Sequence, residues 1–357
     1  VTIREIRTHR LIASLHTPFV TALRRTSLLE TTVVEVVDSD GGRGFGEAPQ
    51  VWRVTGESLA GAEACIAGPL TDVVLGRSTD DISELTADVS AAVVGNQGAK
   101  AAVDVALHDL AARRLRTSLP RLLGTTRHQV ETDVTVSSGN AATPVEAARA
   151  RVAEGFTVLK LKVGTDPLTD IETVCSVHSA VGPEVRIRVD ANQGWTVRQA
   201  IHVIHALEDA QVTVEFIEQP VAAADLKGLA RVTAAVETPV MADESVFGLR
   251  DLSRIIELGA ADLVNIKLAK CGGLTTALAM TRLATAHGMG YIIGSMMEGQ
   301  IGVGAAASLV AAVGSTLTSD LDAAWWLAGR PMMGGLVYDG STVVLPSAAG
   351  LGIEGLS

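Results

Sequence analysis

Thr157-Val158-Leu159-Lys160-Leu161-Lys162-Val163-Gly164 is the stretch on which the reading of this chain turns. Its apolar and β-branched residues, closed by the breaker pair Gly164-Thr165, predict a short strand. Side chains alternate across a strand, so Lys160 and Lys162 share one face. Burial disfavours a charged ammonium, and so does a like charge beside it. Two lysines on an otherwise apolar strand therefore need a reason. One is a surface edge strand guarded by lysines. The other is a functional site with perturbed lysines. The stretch alone leaves both open.

Working outward, strand and helix patterns alternate from Val130 at intervals of roughly 25–30 residues, as βα units do. Strands are predicted at Val130–Val136, Thr157–Lys162, Val185–Asp190, Val212–Glu218, Val240–Ala242, Leu263–Lys267, Gly290–Ile293 and, less clearly, Thr316–Asp320. Helices begin near Pro144, Pro167, Thr196, Ala224, Leu249, Gly273 and Gln300. So many units favour a (β/α) barrel over an open doubly wound sheet. Upstream, residues 1–14, 31–38 and 43–48 read as a three-stranded meander with a loop at about Thr17–Ser27. Helical patterns follow at Glu57–Gly68, Asp80–Val94 and Gly98–Leu115. The expected division is an α+β capping domain at 1–124, a barrel at 125–330 and a segment at 331–357 that returns to the cap.

The chain has 357 residues, 47% hydrophobic and 19% charged, which suits a folded protein with a large core. A net charge of -11 argues against nucleic acid and anionic membrane as partners. Cys65, Cys175 and Cys271 are too far apart for a zinc or disulfide framework, so a reducing, cytoplasmic setting is expected. Val1–Glu5 lacks a signal-peptide core, and the run near Gly302–Gly314 is too short and Gly/Ala-rich to span a bilayer. Ala/Gly-rich helices, if exposed, offer faces for the expected homo-oligomer.

In a barrel the C-terminal strand ends form the active face. Here nearly every one carries charge: Lys160 and Lys162, Asp190, Glu218, Asp243-Glu244, Lys267, Glu298, and Asp320 with Asp322. Asp190, Glu218 and Asp243 end successive strands and would converge. Three anions cannot share a pocket without a cation, and all-oxygen ligands suit Mg²⁺ first. No histidine falls at a strand end. Lys162 and Lys267 lie four strands apart, on opposite sides of an eight-stranded barrel. Amines so placed can remove a proton from one face of a carbon and return it to the other, the carbon being α to a carboxylate.

The motifs Lys160-Leu161-Lys162, Asp190-Ala191-Asn192, Glu218-Gln219-Pro220, Asp243-Glu244-Ser245 and Asn265-Ile266-Lys267 resemble the muconate-lactonizing subgroup of the enolase superfamily. The resemblance covers nearly the whole chain, including Gly44-Phe45-Gly46-Glu47-Ala48 in the cap. It implies a (β/α)7β modified TIM barrel, one Mg²⁺ on Asp190, Glu218 and Asp243, and Lys162 and Lys267 as the acid/base pair. Lys160 would add positive charge and depress the pKa of Lys162.

Asp320-Leu321-Asp322 resembles the Asp-x-Asp motif of dipeptide epimerases, and both carboxylates on one strand face could hold a substrate ammonium. Helix capping is the alternative reading. Thr21-Ala22-Leu23-Arg24 is similar to L-Ala-D/L-Glu epimerases, in which the arginine meets the glutamate side chain. Arg25 is the competing neighbour. Ser295 and Met297, at the seventh strand end, are further candidates for substrate contact. Arg53 and the pair Trp325-Trp326 depart from the closest pattern. The expectation is a dipeptide epimerase acting on L-Ala-L-Glu/L-Ala-D-Glu. Epimerases of hydrophobic or cationic dipeptides, N-acylamino acid racemases and cycloisomerase- or dehydratase-type lyases are the alternatives on the same scaffold, and a metal-dependent binding protein is the non-catalytic one.

Overall fold

β1 (Ile3–Val20) and β2 (Arg25–Asp38) form a long antiparallel hairpin, and β3 (Arg43–Pro49) pairs on the far side of β2. The computed structural model describes residues 1–20, 25–136 and 143–356. The expected loop at Thr17–Ser27 is instead mostly strand: Phe19 pairs with Thr26 and Val20 with Arg25, beyond an irregularity that follows Ser14. Pairing lets the two arms satisfy each other's backbone groups, and Pro18 is tolerated because β1 is an edge strand. β2 is buried on both faces. Leu29 and Val33 face the main core, whereas Val34 and Val36 face the helices of the cap. This explains why the apolar residues from Val33 to Val37, broken by Glu35, fall on both faces.

The barrel strands are β5 (Val134–Val136), β6 (Val158–Lys162), β7 (Arg186–Asp190), β8 (Val214–Glu218), β9 (Val240–Ala242), β10 (Leu263–Lys267) and β11 (Gly290–Gly294), parallel and in sequential order. The predicted first strand is divided, because Gln129–Glu131 (β4) turns away to pair antiparallel with Thr342–Val344 (β14). The predicted eighth strand shrinks to bridges. Ser319 pairs with Thr132 and Asp320 with Gly294, and these contacts join the two edges of the sheet. Intervening helices start where the pattern placed them. Thr143-Pro144 and Thr196 open theirs with reciprocal capping boxes to Glu146 and Gln199.

At the C-terminus Val337–Asp339 (β13) pairs with β14, and Met332–Gly334 (β12) pairs with Ile353–Leu356 (β15). The tail also meets the cap: Leu119 N donates to Gly350 O (2.9 Å) and Leu351 N to the Asp109 carboxylate (2.6 Å). The Ala/Gly-rich helices Gln97–Arg114 and Gln300–Val313 are buried within the chain, so they offer no free faces for assembly. Among the described residues no helix is long and apolar enough to cross a membrane.

Candidate active site

Strand register sets the level of the site. Lys162 on β6 is paired with Asp190 on β7, and Asp190 with Glu218 on β8. On the other side Lys267 on β10 is level with Gly294, which bridges to Asp320. A β-carbon at Gly294 would lie 2.9 Å from Lys267 Cε, so glycine there leaves the lysine its room. The predicted charged residues therefore do gather at one end of the barrel.

They neutralise one another there. Lys160 Nζ lies 2.7 Å from Glu218, 2.7 Å from Asp320 and 3.4 Å from Asp190. Lys162 reaches Asp190 at 2.6 Å, and Lys267 reaches Asp243 at 2.8 Å. Burial opposes the charge on Lys160, but Asp320, Glu218 and Asp190 outweigh it and hold the ammonium well above the ordinary lysine range. Lys160 is thus a shared counter-ion to three carboxylates, and its charge is not directed at Lys162 alone. Lys267 is likewise raised, with Asp243 overcoming burial. Burial pushes Glu218 up, despite Lys160, whereas Lys162 and Lys160 overcome burial to hold Asp190 down. Asp320 is brought down to about 2 against its burial, chiefly by Lys160.

Lys162, Lys267, Asp243, Ser295, Met297, Asp320 and Asp322 line one pocket. Lys160, Asp190 and Glu218 do not line it and are fully buried. Asp320 and Asp322 reach the pocket differently from the strand-face expectation. Asp320 sits in the closing bridge, whereas Asp322 lies beyond it, at the entry to the short helix Ala323–Trp326. Asp322 makes no side-chain cap to that helix; its Oδ2 accepts from Thr135 N (2.7 Å) and Trp326 Nε1 (3.0 Å). Phe19 and Arg53, both from the cap, also line the pocket. Arg24 lies outside the described residues, and Arg25 is exposed.

Residues 3–124 match the mandelate racemase / muconate lactonizing enzyme N-terminal domain, and residues 143–355 match the enolase C-terminal domain-like family. The chain belongs to the mandelate racemase/muconate lactonizing enzyme family. The L-Ala-D/L-Glu epimerase of Clostridium acetobutylicum is 39% identical to it, over 99% of this chain and 99% of the relative. A substrate-liganded complex of the L-Ala-D/L-Glu epimerase from Bacillus subtilis has a TM-score of 0.97 at 38% identity, covering 100% of both chains. The dipeptide epimerase of Enterococcus faecalis, complexed with Mg and the dipeptide L-Leu-L-Tyr, has a TM-score of 0.92 at 35% identity over 99% of each chain.

In this member of the mandelate racemase/muconate lactonizing enzyme family, three residues have roles that the sequence did not assign. Lys270 is fully buried, and its Nζ donates to the carboxylate and carbonyl of Asp243 and to Asn265 O. Its signal was the spacing of one helical turn after Lys267, which a strand-by-strand reading passes over. Gln219 takes left-handed φ (+37°) and its Oε1 accepts from Asp243 N (2.9 Å) and Ser245 N (3.1 Å), tying β8 to β9 at the level of the site. Trp326 is buried beneath Asp322 and stacks with His16 of the cap, while Phe19 meets it edge-on. The tryptophan that departs from the pattern therefore orients Asp322.

Donor chemistry decides whether the site suits a divalent cation. Asp190, Glu218 and Asp243 present buried oxygens only. Glu244 Oε2, Asn192 Oδ1 and Asn265 Oδ1 are buried without a hydrogen bond among the described residues, and Glu218 Oε2 meets Lys160 Nζ as an ion pair. An all-oxygen set with unsatisfied acceptors fits a hard cation. The lysine ammoniums stand among the carboxylates, and among the described residues no three acidic, histidine or cysteine side chains close on a single point.

Proposed function

We propose that the protein is a Mg²⁺-dependent dipeptide epimerase that inverts the α-carbon of the C-terminal residue, with L-Ala-L-Glu/L-Ala-D-Glu as its preferred pair. One observation carries the reading: a single pocket is lined by lysines from β6 and β10, Lys162 and Lys267, together with two carboxylates, Asp320 and Asp322. Opposed amines suit inversion, and paired carboxylates suit a substrate ammonium. The similarity to named dipeptide epimerases over the full chain supports the same reading.

Asp190, Glu218 and Asp243 would hold the Mg²⁺, whose chemistry when bound is Lewis-acid stabilisation of negative charge on the substrate carboxylate. One of Lys162 and Lys267, as the free amine, takes the α-proton, a form that for Lys267 requires the pull of Asp243 to be offset, and the C–H electron pair moves into the carboxylate as an enediolate. The other, as the ammonium, gives a proton to the opposite face, and the reverse reaction exchanges their roles. Lys160 keeps the buried carboxylates compensated. Asp320 and Asp322 hold the first residue's ammonium, Arg24 pairs with the distal carboxylate, and Ser295 and Met297 form part of the wall. The cap residues over the pocket exclude water, which strengthens each of these charges.

The division into cap 1–124, barrel 125–330 and returning segment 331–357 belongs to this proposal, supported by the tail's bonds to Leu119 and Asp109. So do a cytoplasmic setting, supported by the free cysteines Cys65, Cys175 and Cys271, and a homo-oligomer, to be tested by light scattering.

The deciding experiment is ¹H NMR in D₂O with enzyme, Mg²⁺ and dipeptide pools. Loss of the C-terminal residue's α-proton signal is expected in the Ala-Glu/Ala-Asp pool. Loss in hydrophobic or cationic pools only would keep the mechanism and remove the Arg24 assignment. Exchange confined to N-succinyl amino acids would sink the dipeptide reading.

A further inference from the structure

A second cavity, of about 360 Å³, shares no lining residue with the active-site pocket. It lies where the segment following helix Gln97–Arg114 meets residues 125–128 and the loop at 346–347. Arg116, Arg121, Arg127 and His128 line it. Among the described residues none of these three arginines has a carboxylate partner, whereas the adjacent Arg113 and Arg114 pair with Asp109 (2.9 Å) and Asp38 (3.1 Å). Acids are not scarce, since the chain has 40 against 29 lysines and arginines. The three arginine side chains are exposed, so solvent screens their mutual repulsion, and a cavity lined by unpaired cations still favours an anion.

The backbone fixes the frame of the cavity. Arg116 adopts left-handed φ (+54°) just after the helix, where glycine is the usual residue because a β-carbon is disfavoured there. Its N–H donates to Arg113 O and that of Thr117 to Ala112 O, both at 2.9 Å, which closes the helix. Gln211 closes its helix in the same way, so this backbone accepts a side chain, and at Arg116 it sets where the guanidinium starts. The walls are fixed before any ligand arrives. Gly350 N donates to Thr117 O (2.8 Å), Leu119 N to Gly350 O (2.9 Å) and Leu345 N to His128 O (2.8 Å). Guanidinium forks match the oxygens of a phosphate-like group, and the hydroxyls of Thr117 and Ser347 add neutral donors.

We infer that this cavity binds a small, soluble, multivalent oxyanion of the phosphate class, separate from the substrate. The probe is inorganic pyrophosphate, titrated calorimetrically into the full chain in Mg²⁺-free buffer at fixed ionic strength. Saturable one-to-one binding is expected. The double variant Arg121→Gln/Arg127→Gln should weaken it by about tenfold or more. Arg116→Gly, which suits the left-handed backbone, should weaken it too while keeping the far-UV CD spectrum. Arg250→Gln/Arg254→Gln removes equal charge from an exposed barrel helix and should leave binding unchanged. No saturable heat, or an equal loss in that control pair, overturns the site. Binding to phosphatidic acid vesicles without binding to pyrophosphate overturns it as well, because the ligand would then be a lipid headgroup.

Discussion

Lys160 and Lys162 are two residues apart on one strand, yet their surroundings assign them different work. Lys160 is fully buried among three carboxylates, whereas Lys162 meets Asp190 and opens to the pocket. Removing a buried ion that balances several partners typically costs about 3–5 kcal/mol. Lys160→Ala should therefore lower the unfolding free energy from urea titration by that order. Lys162→Ala should cost less stability, because Lys160 still faces Asp190, but reduce α-proton exchange of at least one epimer by about 10²–10⁴-fold. Unchanged exchange of both epimers would remove Lys162 from the base role. Glu298 gives a pH test. Burial, and then Glu47, push its carboxyl up to about 8 from the ordinary 4.5. The folded state thus holds this proton more tightly than the unfolded chain. The resulting stability is complete below pH 4.5 and is lost as pH rises through about 8. Glu298→Gln retains an acceptor for Met296 N and should flatten the fall in urea midpoint between about pH 5 and 9. A parallel fall in both proteins would show that other groups control it.

Packing of the cap depends on glycine at the element scale. Gly44 and Gly46 lie two apart on one face of β3, and Ala102 and Ala106 lie four apart on one face of the helix Gln97–Arg114. A β-carbon at Gly46 would fall 1.8 Å from Ala102 O, and one at Gly44 2.1 Å from Ala106 O. Gly46→Ala must push helix and sheet apart. A loss of about 3 kcal/mol or more is expected by urea unfolding, at the upper end for overpacking. A loss under about 1 kcal/mol would mean that the contact relaxes freely. The same scale explains what could be read beforehand. Helix starts at Pro144, Pro167 and Gln300 were legible because caps and periodicity are local signals. So were the charges ending the barrel strands, because each follows an apolar run. The extension of the hairpin beyond Ser14 was hidden, since the arm around Phe19 is stabilised by a partner strand and carries no alternation of its own. The last barrel strand was overread because, among the described residues, Ser319 and Asp320 form its bridges and no continuous ladder follows. Lys270 and Trp326 act through contacts that exist only once the barrel has closed.

Across the whole molecule, cap, barrel and charge balance meet at one place. His16 and Phe19 of the cap hairpin pack on Trp326, which donates to Asp322, which lines the same pocket as Lys162 and Lys267. Closing the cap and orienting Asp322 are therefore one packing event. At the pocket's base the carboxylates are compensated by Lys160, Lys162, Lys267 and Lys270. Folding accordingly does not require a metal to cancel their charge. A chelator should abolish α-proton exchange while leaving far-UV CD and a cooperative melt intact. Adding Mg²⁺ should raise the melting temperature in a saturable way, because a ligand that binds only the folded state stabilises it by RT ln(1 + [L]/Kd), or about 2.7 kcal/mol at a hundredfold excess over Kd. Asp190→Asn keeps an acceptor for Asn192 N but removes one charge, and should cut that shift strongly. A chelated protein that unfolds would show that the lysines do not balance the site. A Mg²⁺ shift of equal size in Asp190→Asn would place the cation elsewhere and take Asp190 out of the ligand set.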